Sequence, residues 1–274
     1  MSDRLQALLS QYSVSTQVFH TGALCGVNDV PMQNESGQLH LIREGAVQVF
    51  HGEQLAQRID EPSLLLYPGP VPHRFVTDPQ RGADMACAHL RFEDAATHPV
   101  AAALPAHVCV PLSVIDGAAP VLGLLFEEAF ERRCGRQALL DRLFEVVLIQ
   151  LLRHLMESGA VQVGMLAGMA HPRLRHAVVA MHEQPARAWT LAELAAVAGM
   201  SRSVFAQAFR TALGCTPGSY LQAWRLGLAR QALRRGQPLK LIAAEVGYGS
   251  EAALSRAFKA HGGVGPRQWR QAQA

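Results

Sequence analysis

The first 115 residues break into short apolar runs separated by turn formers, a pattern that predicts β-strands. Gln38-Leu39-His40-Leu41-Ile42 and Ala46-Val47-Gln48-Val49-Phe50 have strand length, interrupted at Gly45 and at His51-Gly52-Glu53. Ser63–Tyr67 is a third run, stopped by Pro68-Gly69-Pro70, and Met85–Phe92 follows the turn-forming stretch Asp78–Gly82. Short strands with frequent Gly and Pro predict a small antiparallel barrel or sandwich. From about residue 116 the period lengthens. Leu122, Leu125, Phe126, Ala129 and Phe130 fall on one helical face, as do Leu140, Leu143, Phe144, Val147, Leu151 and Leu155. Leu148 and Ile149 widen the second stripe beyond one packing surface. Two helices over residues 116–158 can therefore cover the β-domain and also supply a dimer contact. Residues 159–171, rich in Gly and Ala, are expected to be a linker, after which His171-Pro172 opens a third region running to residue 274.

That last region holds an imperfect repeat. Ala195-Ala196-Val197-Ala198-Gly199-Met200-Ser201 is echoed 48 residues later by Ala243-Ala244-Glu245-Val246-Gly247-Tyr248-Gly249. Phe209-Arg210, Gly214 and Pro217 are echoed 49 residues later by Phe258-Lys259, Gly263 and Pro266. Each copy predicts a short apolar helix, a turn at Gly, and a second helix, the arrangement that places a reading helix in the major groove. Thr190, with Glu193 three residues on, is a capping-box start for the helix Leu191–Ala198. Ser201 is expected to cap Arg202–Leu213, with Val204, Phe205, Ala208 and Phe209 inward. Arg202, Ser203, Gln207 and Arg210 remain for the outer face, where Arg and Gln suit guanine and adenine edges. In the second copy Ser250 is the expected cap of Glu251–His261, and Glu251, Ala252, Ser255, Arg256 and Lys259 the exposed side. Between the copies, Tyr220, Leu221, Trp224, Leu228 and Leu233 fall at helical spacing over Ser219–Arg235. One long helix there would set the distance between the two reading helices, which must match roughly 34 Å on one face of DNA.

Composition changes the picture mainly through charge. The net charge of +3 over 274 residues hides an asymmetry: residues 171–274 carry 14 Arg/Lys against 4 Asp/Glu, and residues 1–170 carry 11 against 18. A basic C-terminal region suits a polyanion, while an acidic N-terminal region argues against the whole chain lying on one. With 49% apolar and 17% charged residues, neither disorder nor a fibrous chain is indicated. No charge-free apolar run approaches the roughly 18 residues a membrane span needs, and the start lacks a secretory signal pattern. A cytoplasmic protein is expected, with its five cysteines reduced.

The C-terminal region resembles the AraC/XylS family of bacterial transcription regulators over about 100 residues. The resemblance lies in Trp189-Thr190-Leu191-Ala192-Glu193-Leu194-Ala195, Gly199-Met200-Ser201, Phe209-Arg210 and Gly214-x-x-Pro217-x-x-Tyr220. It continues through Ile242-Ala243-x-x-Val246-Gly247-Tyr248, Ser255-Arg256-Ala257-Phe258-Lys259 and Pro266-x-x-Trp269-Arg270. Leu254 and Trp269 stand where the family often has an aromatic and a tyrosine, and Gly265 where Ser is common. The resemblance implies double-stranded operator DNA as a partner, RNA polymerase as a second, and an activating role. On the outer faces described above, the residues expected to meet DNA are Ser201, Arg202, Ser203, Gln207 and Arg210 in the first copy, and Ser250, Glu251, Ser255, Arg256 and Lys259 in the second.

An acidic β-domain beside a DNA reader points to a sensor. Tyr67-Pro68-Gly69-Pro70-Val71-Pro72-His73 resembles the second cupin motif, and Leu39-His40 before Gly45 is similar to the first. The implied fold class is α+β multidomain: an N-terminal cupin-like β-barrel with a helical hairpin, and an all-α domain with two helix-turn-helix units. Cys87, in Ala86-Cys87-Ala88-His89-Leu90, stands where a subgroup of AraC-type regulators carries a cysteine, and some of that subgroup respond to oxidants. His40, His73 and Cys87, with His89 or Cys25 as a fourth, form a candidate ligand set for Zn²⁺ or another divalent metal. Cys87 and His89 lie two apart on a strand and so share a side. A lowered thiol pKa would make Cys87 a redox switch. The alternatives are an organic effector without metal and a structural role for His73 in closing its turn. The other functional class is a metal-dependent cupin enzyme with a DNA-targeting domain, for which Glu44 is the nearest carboxylate to a cupin-like position.

Overall fold

The computed structural model describes residues 3–30, 36–92, 98–131 and 133–271. It divides into two compact units: residues Tyr12–Val161, and the residues up to Gln11 together with those from Gln162 onward.

The first unit is built from β1 (Val14–Leu24), β2 (Val27–Val30), β3 (Gly37–Glu44), β4 (Val47–His51), β5 (Gln54–Ile59), β6 (Ser63–Tyr67), β7 (His73–Thr77), β8 (Ala83–Phe92) and β9 (Val108–Pro111). One antiparallel sheet has the order β1-β8-β3-β6-β9 and the other β2-β7-β4-β5. Their facing sides enclose a shared core. Ile42, Leu65, Tyr67, Met85 and Cys87 come from the larger sheet, and Val47, Val49, Ile59 and Phe75 from the smaller. Leu39, Leu41, Leu64, Leu66, Ala86 and Ala88 are also buried, on the opposite side of the larger sheet. Burial on both sides explains why β6 is a continuous apolar run rather than an alternating one. A short helix α2 (Pro99–Ala103) follows β8, and α3 (Ala119–Phe130) and α4 (Arg136–Glu157) form the hairpin expected from the 3.6-residue period.

Helix α4 runs along β1, an edge strand whose free backbone groups need partners. At the β1 bulge between Val18 and His20, the Asp141 carboxylate accepts the Val18 N–H at 2.8 Å. Gln137 Nε2 donates to the Val18 carbonyl at 3.0 Å, and Arg136 donates to Thr21 Oγ1 at 2.6 Å. The predicted stripe of α4 from Leu140 to Leu155 is buried, Leu148 included. Phe130, expected inward on α3, is instead exposed, with the Arg43 guanidinium 5.1 Å from its ring centre.

The second unit is all helical. A one-turn-and-a-half helix α1 (Gln6–Gln11) packs on α6 (Leu174–Glu183), burying Leu5 and Leu8. Residues 3–11 thus belong to this unit and not to the β-domain in which the sequence pattern placed them. The expected linker is also different: Met165–Ala170 is a buried helix, α5. Gly168 explains the packing, because a Cβ there would lie 2.8 Å from Leu213 Cδ1. Then follow α7 (Leu191–Val197), α8 (Arg202–Leu213), α9 (Pro217–Arg234), α10 (Leu239–Glu245), α11 (Glu251–Gly262) and α12 (Pro266–Gln271). Helix α9, with 18 residues, is about 27 Å long at 1.5 Å per residue. Its Leu226, Ala229 and Leu233 share a core with Ile242, Ala243 and Val246 of the α10 segment and with Leu254 and Phe258 of α11.

Candidate nucleic-acid interface and sensor interior

Each repeat folds as a helix, a glycine turn and a second helix, for reasons local to the sequence. At α7 the Thr190 hydroxyl accepts the Glu193 N–H at 3.2 Å, and the Glu193 carboxylate accepts the Thr190 N–H at 2.8 Å. The Thr190 N–H, Arg187 Nη2 at 2.9 Å and the Thr190 hydroxyl at 2.8 Å all donate to that carboxylate and pull its pKa down to about 2. Gly199 turns the chain at φ +63° and Gly247 does so at +81°. Ser250 caps α11 by accepting the Ala253 N–H at 3.1 Å. Ser201 stands at the corresponding position of α8 in extended conformation, but its hydroxyl makes no capping bond to the helix.

Arg202, Ser203, Gln207 and Arg210 are all exposed on α8, and Glu251, Arg256 and Lys259 on α11. Ser201 and Ser250 are exposed as well, while Ser255 is half-buried. Val204, expected to face inward, is 51% exposed. The helix explains the correction: Phe205, Phe209 and Leu213 define the buried line, and residue 204 lies about 100° from Phe205, away from it. The apolar character of Val204 masked a position that the spacing of the three buried residues already excluded from the core.

Not all of the positive charge in this unit is free to meet DNA. Arg225 donates to the Pro185 carbonyl at 2.6 Å and to the Arg187 carbonyl at 2.8 Å, stitching α9 to the α6–α7 loop. Arg230 is buried with its guanidinium 5.5 Å from the Phe258 ring centre. Below the first repeat, His182 stacks on Trp224 at 3.8 Å and its Nε2 pairs with the Tyr220 hydroxyl at 2.8 Å. Burial pushes the His182 pKa down to about 3, so the ring is neutral and acts as a packing group.

In the β-domain, His40, His73 and Cys87 face the same interior. His73 Nδ1 donates to the Val71 carbonyl at 2.8 Å, which leaves its Nε2 to accept from His40 Nε2 at 3.1 Å. His40 Nδ1 is then a bare acceptor, fully buried and with no partner. His89 is buried under the Phe19 ring at 4.3 Å, and neither of its ring nitrogens has a partner. Burial lowers the pKa of His40, and the neighbouring His73, His89 and His20 lower it further; burial also lowers that of His73 and His89.

Cys87 is opposite His40 in the β3–β8 register, but burial raises its thiol pKa strongly. That is the reverse of the lowered pKa a redox switch requires, because an apolar core disfavours the thiolate. Cys25 is exposed and lies at the far end of β2 from His73, so it is no fourth ligand. Among the described residues no group of three His, Cys, Asp or Glu side chains is arranged to hold a metal ion, and the expected set His40, His73 and Cys87 is not one. The hydrogen bond between the two imidazoles occupies the nitrogens that would have to turn toward an ion. Glu44 is exposed, outside the buried His40–His73 cluster. No described helix is long and apolar enough to cross a membrane.

Comparison with known proteins agrees with both halves. A family model described as Cupin matches residues 3–157, and one described as Helix-turn-helix domain matches residues 194–272. A putative AraC-like transcription regulator of Streptomyces antibioticus is 44% identical over 133 residues, 48% of this chain and 44% of that protein. One of Streptomyces lividans is 40% identical over 147 residues, 53% of this chain and 48% of that protein. The chain thus spans about half the length of the curated relatives it matches. The crystal structure of an AraC-type transcriptional regulator from Chromobacterium violaceum is 28% identical, covering 38% of this chain and 93% of that one with a TM-score of 0.35. These relatives are transcription regulators and not enzymes.

Proposed function

This chain belongs to the AraC-type transcription regulators that carry an N-terminal cupin domain, and from that premise we propose that it binds operator DNA through α8 and α11 in the cytoplasm and activates transcription with RNA polymerase. The supporting observation is the pair of glycine-turned helices that present exposed Arg, Gln, Ser and Lys side chains, joined by one 18-residue helix. A helix of about 27 Å with its flanking turns suits reading helices placed roughly one duplex turn apart. Arg202, Gln207, Arg210 and Arg256 would meet base edges, and Lys259 the phosphates. The exposed Leu124, Leu139 and Val146 on the α3–α4 hairpin are the surface for a homodimer.

The signal is proposed to be a small organic molecule in the β-domain interior. Its support is the buried acceptor His40 Nδ1 together with the unpartnered His89 ring, since buried polar atoms without partners are costly and call for a ligand or water. A neutral molecule with at least one hydrogen-bond donor fits neutral imidazoles better than a cation does.

The test is selection of duplexes from a random pool by the full chain, followed by binding measured across a salt series. An enriched sequence, with log Kd rising linearly in log salt, is expected. No enrichment at any salt concentration would overturn the regulator reading. For the effector, ligands that raise the melting temperature of the wild type and not of His89→Phe are expected; equal shifts in both would remove the interior as the sensor.

A further inference from the structure

A cleft of about 500 Å³ opens beside α8, within the second unit. Trp189, Leu191, Leu194, Pro217 and Leu221 make its apolar wall, and Ser203, Gln207 and Arg210 its polar rim. Its size lies in the range of roughly 300–1,000 Å³ typical of small-molecule sites, which pair an apolar lining with a few convergent polar groups. We infer that this cleft binds an aromatic monocarboxylate, and that its occupation excludes DNA from α8.

The charge of the lining selects the ligand. Arg210 is the one charged residue among the described residues that line the cleft, and among the described residues it makes no ion pair. The first turn of α9, capped by Thr216, opens on the same space and adds the positive end of a long helix. A cation facing an otherwise apolar wall calls for a carboxylate on an apolar body. The wall favours a flat, rigid body: Trp189 is half-buried, and Leu191, 42% exposed, offers apolar surface that water now covers. An aromatic ring there removes that surface from water while freezing few torsions.

The consequence for regulation rests on the DNA-reading role proposed for α8. Ser203, Gln207 and Arg210 cannot hold the carboxylate and meet base edges at once. Such a ligand would act directly on the DNA-binding unit, without passing a signal through the β-domain.

The experiment titrates biphenyl-4-carboxylate into the full chain, following tryptophan fluorescence in the wild type and in Trp189→Phe. In parallel, a fluorescein-labelled duplex recovered from a random pool reports DNA binding by anisotropy. Saturable quenching that disappears in Trp189→Phe is expected, with the amide analogue and the Arg210→Gln protein each at least tenfold weaker. Leu191→Glu, a change at an exposed first-turn position where an acidic residue suits the helix, should abolish quenching. The apparent Kd for DNA should rise linearly with the concentration of the acid. Equal affinity for acid and amide, or quenching that survives Leu191→Glu, overturns the site. No binding of the acid, with DNA affinity still lowered by Arg210→Gln, overturns it too and leaves the cleft to DNA alone. Binding with all the expected dependences but an undisturbed DNA complex would overturn the exclusion and remove α8 from the DNA interface.

Discussion

The two helix-turn-helix units share a pattern but are held in place differently. Gly199 needs its glycine only for the left-handed turn, since an added Cβ would meet nothing within 4 Å. Gly247 needs it twice over: for its φ of +81° and because a Cβ would lie 2.6 Å from the Ala186 carbonyl oxygen. The second turn is therefore pressed against the loop that precedes the first unit, while the first turn is free. The entries to the reading helices differ too. In the first unit the side-chain cap is on α7, at Thr190, and α8 has none; in the second the cap is on α11, at Ser250, and α10 has none. The first helix of one unit and the reading helix of the other are thus the ones fixed by their own sequence. A repeat in sequence does not ensure a repeat in rigidity.

The glycines provide the largest expected difference. Gly247→Ala should destabilise by about 3 kcal/mol or more, because the backbone it meets cannot move aside. Gly199→Ala should cost only about 1–2 kcal/mol, the penalty for a left-handed non-glycine residue. Denaturant titration of both proteins checks this, and equal losses would remove the asymmetry.

The reading faces come next. Arg202→Ala and Arg256→Ala should each weaken operator binding by about 1–3 kcal/mol and relax base preference at one position. Lys259→Ala should weaken all sequences alike and reduce the salt slope by about 1. Unchanged affinity in all three would mean that the faces have been assigned wrongly.

Acid should separate the supports. The first helix-turn-helix unit rests on the stacked His182, and the second on apolar residues and on Arg230 against the Phe258 ring. In the folded chain the His182 pKa is lowered from 6.5 to about 3, so at intermediate pH the unfolded chain takes up a proton that the folded one does not. The His182 contribution to stability is thus unchanged above pH 6.5 and falls between pH 6.5 and 3, by about 1.4 kcal/mol for each pH unit. His182→Phe should remove its share of the acid dependence, leaving the part that the buried His40, His73 and His89 contribute. A profile that stays as steep would place the acid sensitivity elsewhere.

The smallest contrast concerns the caps. Thr190→Ala should cost about 1 kcal/mol, as the loss of a capping residue does. Ser201→Ala should cost a few tenths at most, since its hydroxyl makes no capping bond.

Much of this was visible in the sequence wherever the cause is local. The capping box at Thr190 and Glu193, the cap at Ser250, the two glycine turns and the long α9 follow from residues within a turn or two of one another. Strand β6 and helix α4 were legible from the apolar period alone. Strands β1, β5 and β7 were not, because Gln54–Ile59 carries few apolar residues and β1 depends on Asp141 and Arg136, more than a hundred residues away, to satisfy its edge.

Sequence by itself settled that two helix-turn-helix units follow a β-rich domain, because turns, caps and periodicity act over a few residues. Tertiary structure alone decided that residues 3–11 pack with the DNA-binding unit and that Gly168 seats a buried helix where a linker was expected. It also decided that His40 and His73 spend their facing nitrogens on each other, and that Cys87 is buried rather than poised to react. Each of these depends on which distant side chains occupy the same space, and spacing along one chain carries no record of that.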